Sequence, residues 1–284
     1  MPRSPHTSGV STHYPPLTIG VLAIQGAVSE HEDLLRAVDP SVTTRQVRLP
    51  SHLVGIDALV LPGGESTAMG LIGTEDGMWD AIREFVGPNS QKPAWGTCAG
   101  MILLAERCVG ASAVIVGGQA LIGGVDVLVC RNYFGSQVAS FEMPIPAPPG
   151  DDEPFPGVFI RAPAILSAGP GVTVLSKVVA SPCRVAAAVL RDLDGRLARG
   201  EDVRVEGVVE EKESGDSPAK RQKRDNSGAA VVLPGASGET EAREVICAVK
   251  VGNILCTAFH PELTTDDRWH RYFVDEVVRK NKKL

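Results

Sequence analysis

The sequence predicts an α/β protein of three layers, with a mixed, centrally parallel sheet between helices. Three observations carry that expectation. The apolar runs at residues 17–24 and 57–61 lack the alternation of a half-exposed strand, as strands covered on both faces do. Strand and helix patterns alternate up to Cys98, which is the signature of parallel strands joined by helical crossovers. Both the strand ending at Leu61 and the one leading to Cys98 stop at glycine-rich turns, where open α/β sheets bind ligands. At 284 residues, 43% hydrophobic and 22% charged, the chain can bury a full core of the soluble kind.

In order, residues 17–24 form the first buried strand, and Gln25-Gly26-Ala27 turns the chain. Ser29 and Glu32 offer a capping box for a helix whose apolar face is Leu34, Leu35 and Val38. Residues 43–49 and 57–61 are further strands, and 76–86 a helix. A short strand then reaches Cys98 and gives way to the apolar helix beginning Met101-Ile102-Leu103-Leu104. Beyond Gly123 the texture is β-rich, with strands at 125–130, 137–141, 158–160, 172–178 and 184–190. The proline-rich stretch 144–156 reads as a connection that continues neither strand nor helix. Residues 245–249 and 253–259 make a hairpin about Val251-Gly252. A last helix starts near Thr265 and carries Trp269, Phe273 and Val277 on one face.

We expect one domain over residues 17–284. Residues 1–16 lack the apolar core of a secretory signal and read as a disordered tail. Residues 194–241, charged and poor in large apolar side chains, read as a flexible insertion. Within it, Lys220-Arg221-Gln222-Lys223-Arg224 is either a solvated patch or a nuclear address. The net charge of −6 gives no hint of nucleic-acid binding, and no run is long enough for a membrane helix. Six scattered cysteines, without C-x-x-C pairs, imply a reducing, cytoplasmic compartment and suit no structural zinc.

The chemistry-bearing stretch is Gly96-Thr97-Cys98-Ala99-Gly100, the thiol version of a nucleophile elbow. Glycines on either side relieve crowding in a sharp strand-to-helix turn, and the helix start favours thiolate. The alternative for any cysteine is a small buried hydrophobe. His260-Pro261-Glu262 follows an apolar strand, and residues two apart on extended chain project to one side. Glu262 can then orient His260 as the base for Cys98, completing a thiol triad. Otherwise His260 merely ends a strand and Glu262 is solvated. No other His or Cys shows metal-ligand spacing, so no metal is expected. Gly63-Gly64-Glu65-Ser66-Thr67 offers backbone N–H groups to an anion; Gly63 or Gly64, with Ala99, would form an oxyanion hole. The plainer reading of that loop is a turn followed by a Ser66 or Thr67 helix cap.

Gly20 to Ala27, Leu61 to Thr67, Gly96 to Gly100, Arg131-Asn132-Tyr133-Phe134-Gly135, Ser140-Phe141-Glu142, Phe159 to Pro163 and Phe259 to Thr264 occur in order. Together they resemble the glutaminase subunits of pyridoxal 5′-phosphate synthase, a branch of the class I glutamine amidotransferases, over most of residues 17–193 and 243–280. The resemblance implies the flavodoxin-like fold of that class. It also implies hydrolysis of L-glutamine to L-glutamate and ammonia through a thioester on Cys98, with His260 as base and Glu262 as its orienter. Gly64, Glu65, Ser66, Arg131, Ile160 and Arg161 match its glutamine-binding positions. An arginine fork suits the substrate carboxylate and Glu65 an ammonium, whereas a surface ion pair is the usual fate of an arginine. The implied partner is the synthase subunit that accepts the ammonia to build vitamin B6. The implied cofactor requirement is none, pyridoxal phosphate being the product of the complex. Two other readings are an amidotransferase serving a different synthase and a non-catalytic regulatory subunit of the same fold.

Overall fold

A computed structural model describes residues 15–110, 120–135, 140–201, 233 and 241–282. The chain runs β1 (Leu17–Leu22), α1 (Val28–Val38), β2 (Val42–Val47), β3 (Ala58–Leu61), α2 (Ser66–Glu75), α3 (Met78–Val86), β4 (Ala94–Thr97), α4 (Ala99–Leu104) and β5 (Ala105–Val109). It continues through β6 (Val125–Cys130), β7 (Ser140–Ile145), β8 (Phe155–Ile160), β9 (Ala164–Ala168), β10 (Thr173–Ala180), α5 (Arg184–Ala198), β11 (Arg243–Val251) and β12 (Ile254–Thr257). The chain then enters α6 (Arg268–Tyr272), prolonged by a π-helical segment over Phe273–Arg279 and a last helical turn at Lys280–Lys282. Among the described residues no helix is long and apolar enough to cross a membrane.

Among the described residues the main sheet has ten strands in the order β2-β1-β3-β4-β12-β11-β9-β6-β5, with β10 beside β11. From β2 to β12 neighbours are parallel, and β11 is antiparallel to β12. The strands β1, β3, β4 and β12 are almost wholly buried, which is why their residues are a continuous apolar run. Consequently β1, β3, β4 and β12 lie side by side with their carboxyl ends at one edge. A separate antiparallel pair, β7–β8, stands near that edge, with His260 N–H donating to the Val158 carbonyl at 2.8 Å.

Several expectations are corrected. Residues 184–190 are not a strand but the start of α5. Ala186, Ala187, Leu190 and Leu193 are its buried stripe at helical spacing, and the alanine run favours helix. The stretch 144–156 is not all connection, because Pro144 and Pro156 face each other at the ends of β7 and β8. Two prolines can be direct partners only where the ladder asks neither for an N–H, as in a two-stranded sheet. Helix α2 was foreseen only in the plainer reading of the 63–67 loop, as a helix capped there: Gly70 and Gly73 blur its pattern, and the indole of Trp79 donates to the Gly70 carbonyl at 2.9 Å to pack α3 against it. Helix α1 has no capping box; Ala27 precedes it without a side-chain cap, and Ser29 bonds Glu30 instead. Its buried residues are His31 and Leu35.

The expected tail lies almost wholly outside the described residues, as do most of the expected insertion and all of the basic run 220–224. At the foot of the insertion, residues 194–198 belong to α5, and Asp194 pairs with Arg243 at the start of β11.

Candidate active site

Cys98 leaves β4 in a conformation that L-residues seldom adopt, with φ 46° and ψ −103°, and opens α4. Its backbone N–H donates 2.8 Å to the Thr257 carbonyl at the end of β12, so the elbow is pinned to the strand that delivers His260. The framing glycines are there for space. A Cβ on Gly100 would lie 2.0 Å from the Leu61 carbonyl oxygen, and one on Gly96 2.6 Å from the Gly100 carbonyl carbon. No side chain fits at either place, and the strained turn persists because β3, β4 and α4 close around it.

His260 and Glu262 are neighbours as expected, though by a different local route. Pro261–Leu263 is a 3-10 turn rather than extended chain, and it brings His260 Nδ1 to 2.7 Å from Glu262 Oε1. Nδ1 is thereby engaged, leaving Nε2 as the other ring nitrogen for Cys98, which is also a hydrogen-bond partner of His260. Burial alone would lower the pKa of His260; Cys98 and Glu262 outweigh it and raise the value to about 10. Burial would likewise raise Glu262, but the histidines His31 and His260 hold its carboxyl below the usual range. Burial pushes the thiols of Cys108, Cys130, Cys247 and Cys256 up to about 12, so they stay protonated and inert.

A cleft of about 460 Å³ opens over the strand ends, within the usual range for a small-molecule site. Cys98 and His260 line it together with Gly64, Glu65, Ser66, Arg131, Ile160 and Arg161. Gly63 packs against His260 and Cys98, and its carbonyl oxygen lies against Gly26. Ala99 is the first residue of α4, directly after the nucleophile. The helix cap in this loop is neither Ser66 nor Thr67. Glu65 caps α2, its carboxylate accepting from Thr67 N at 3.2 Å and Ala68 N at 2.7 Å. Burial opposes its charge, and those two donors with Arg131 hold its pKa below the usual value.

Arg131 donates to Thr67 Oγ1 at 3.1 Å and lies 3.5 Å from Glu65. Its Nη1 is buried without a hydrogen-bond partner among the described residues. Both Asn132, at φ 53°, and Arg161, at φ 48°, are held in the left-handed region at the cleft wall. Sequence reasoning did not place Ile102 at the cleft, and used Gln25, Gly26, Asn132 and Pro163 only as family markers. In the structure Gln25 Oε1 accepts from Glu65 N at 3.1 Å, tying the end of β1 to the loop after β3. The usable signal was positional, since Gln25 follows a parallel strand as Gly63 and Cys98 do. Among the described residues no group of His, Cys, Asp and Glu is arranged to hold a metal.

Residues 21–192 match the SNO glutamine amidotransferase family. A relative from Arabidopsis thaliana, named probable pyridoxal 5′-phosphate synthase subunit PDX2, is 40% identical over 91% of this chain and 85% of its own length. The pyridoxal 5′-phosphate synthase subunit PdxT of Deinococcus radiodurans is 36% identical over 91% of this chain and 96% of its own. Among solved structures, a crystal structure of a glutamine amidotransferase aligns with TM-score 0.60 and 31% identity, covering 90% of this chain and 97% of that one.

Proposed function

The chain belongs to the SNO glutamine amidotransferase family, and from that premise we propose that it is the glutaminase subunit of a pyridoxal 5′-phosphate synthase. It hydrolyses L-glutamine to L-glutamate and ammonia. The observation that carries the chemistry is the juxtaposition at one sheet edge: a strained thiol directly after β4 that lines the cleft, and a glutamate-oriented imidazole after the adjacent β12.

In this reading the Cys98 thiol passes its proton to His260 and the sulfur attacks the side-chain amide carbon of glutamine. The carbonyl oxygen takes up negative charge, for which the N–H groups of Ala99 and of Gly63 or Gly64 would be the backbone donors. His260 gives its proton to the departing nitrogen, the C–N bond breaks, and a thioester remains on Cys98. His260 then takes a proton from water, whose oxygen displaces the sulfur and releases glutamate. The elevated His260 pKa suits the first step, because the imidazole must hold a proton when ammonia leaves. The buried Nη1 of Arg131, without a hydrogen-bond partner among the described residues, supports a role in holding the substrate's α-carboxylate, with Arg161 lining the same cleft. Nucleophile, base and donors are all supplied by the chain, so this subunit needs no cofactor of its own. Ammonia passes to the synthase subunit, the partner that the relatives' names support. Six cysteines without a disulfide among the described residues support a cytoplasmic setting.

The test is co-purification with a pyridoxal 5′-phosphate synthase subunit, followed by measurement of glutamate release with and without it. A complex that forms yet hydrolyses no glutamine overturns the reading.

A further inference from the structure

Behind the triad lies a buried chain of polar groups that hydrolysis, as described above, does not use. His31 on α1 and His270 on α6 are both fully buried, with His31 Nδ1 3.0 Å from His270 Nε2. On its other side, His31 Nε2 lies 3.4 Å from Glu262 Oε2 and 3.4 Å from the hydroxyl of Thr97, the residue before the nucleophile. Trp95 of β4 packs edge-on against both imidazoles, at 5.6 Å from His31 and 4.9 Å from His270. Glu262 Oε2 and His270 Nδ1 are buried and have no hydrogen-bond partner among the described residues.

We propose that His31 is a positioning residue for the catalytic triad: as a neutral imidazole it presents Nε2–H to the free oxygen of Glu262, in the tautomer that His270 imposes.

The proton assignment follows from which nitrogen is left bare. Buried N–H groups are left without an acceptor more rarely than buried acceptors are left without a donor. His270 Nδ1 is therefore the unprotonated nitrogen, and His270 Nε2–H donates to His31 Nδ1. That leaves the single proton of His31 on Nε2, facing the carboxylate. Burial keeps His31 neutral; Glu262 and Glu30 favour its charge, while His260 opposes it. Burial and the neighbouring His31 hold His270 neutral too. The charged or titratable groups around Glu262 are thus His260, which also faces Cys98, then His31 with Glu30 on α1, and His270 on α6.

At 3.4 Å the donor stands just outside ordinary hydrogen-bond length, as catalytic contacts often do before substrate engages them. With one oxygen on His260 and the other against His31, Glu262 cannot swing about its terminal bond. The plane of the His260 ring, and so the aim of Nε2 at Cys98, is set from both sides of the carboxylate.

The proposal rests on the glutaminase reading for its kinetic test, so a second readout is independent of turnover. His31→Leu removes the donor, whereas His31→Gln keeps an N–H near the place of Nε2. In the assembled complex, His31→Leu is expected to lower kcat by roughly 10- to 100-fold with KM changed by less than about threefold. The acid limb of kcat/KM should move to higher pH, because Glu262 without the donor needs less acid to protonate. His31→Gln should recover all but about fivefold of the rate. A His31→Leu rate within about threefold of wild type, equal impairment in both variants, or an unmoved acid limb overturns the proposal. The ring-nitrogen NMR spectrum of the wild-type chain reports the tautomers directly. A His31 proton on Nδ1, or a charged His31 at neutral pH, overturns the proposal even if His31→Leu fails to fold. Should the wild type hydrolyse no glutamine, the glutaminase reading falls and the NMR result alone decides this one.

Discussion

Placing one methyl group at Gly63 should disable the site while leaving the protein folded. A Cβ there would lie 2.4 Å from Cε1 and 3.0 Å from Nδ1 of His260, and 3.3 Å from Cys98 Cβ. Carbon atoms settle at about 3.5–4.0 Å, so the imidazole must retreat by about 1 Å or the loop must lift by as much. The ring has little freedom to retreat. Its Nδ1 is held by Glu262 at 2.7 Å, and its backbone N–H by the Val158 carbonyl at 2.8 Å. A misplacement of about 1 Å at a reacting group costs on the order of 10²-fold, or about 2.7 kcal/mol of activation free energy. Gly63 is not in the left-handed region, so alanine adds no backbone strain. Overpacking of this kind destabilises a fold by about 1–3 kcal/mol. Gly63→Ala should therefore lower kcat for glutamine in the synthase complex about a hundredfold, with Tm lowered by no more than about 8 °C. The assay is steady-state glutamate release, with the melting curve as control. Turnover within about threefold of wild type would refute the view that Gly63 is a spacer for the catalytic pair.

Cys98→Ser should reduce glutamine hydrolysis by several orders of magnitude while partner binding persists, read by the same assay and by co-elution. The kcat/KM profile should carry an alkaline limb near pH 10, where His260 gives up the proton needed by ammonia; a limb below pH 8 contradicts that assignment. Glu65→Gln should lower stability by about 0.5–1 kcal/mol in urea titration, through a weakened α2 cap, and raise KM as Arg131 loses its neighbour. Because its carboxyl titrates below the ordinary value, the cap's contribution is fully present above about pH 4.5 and fades as acid protonates it. Excising residues 203–239 with a short Gly-Ser bridge should cost about 1 kcal/mol, the share of the half-buried Leu233. An excision starting at Asp194 also removes the end of α5 and a carboxylate partner of Arg243, and should lower the thermal midpoint more than the shorter excision does.

The parallel half of the sheet was readable because burial on both faces leaves an unbroken apolar run, as at residues 17–22 and 58–61. The elbow was readable because steric crowding admits only glycine at Gly96 and Gly100, a constraint written into local sequence. What failed was pattern recognition where two causes overlap. Arg184 to Leu190 carries enough valine to look like strand, and only the alanines at 186–188, spaced against Leu190 and Leu193, point to helix. In α2 glycine erased the amphipathic signal, since tertiary packing against Trp79, not propensity, sustains that helix. His31 and His270 were invisible as a pair because nothing local links residues from α1 and α6. They meet only once the sheet has formed between β1 and β12.

The clasp between Arg243 and Asp194 separates the length of the intervening chain from the stability of the sheet. With α5 and β11 already joined at the base, the ends of that segment are fixed whatever is threaded between them. Each doubling of a closed loop costs only about 0.6 kcal/mol. Length at this point is therefore almost invisible to selection for folding, and sequence can accumulate or be lost there without disturbing the triad. The same indifference makes it a natural port for grafting. A fluorescent reporter or affinity handle inserted between residues 202 and 240 would enter and leave through a neck the fold already provides.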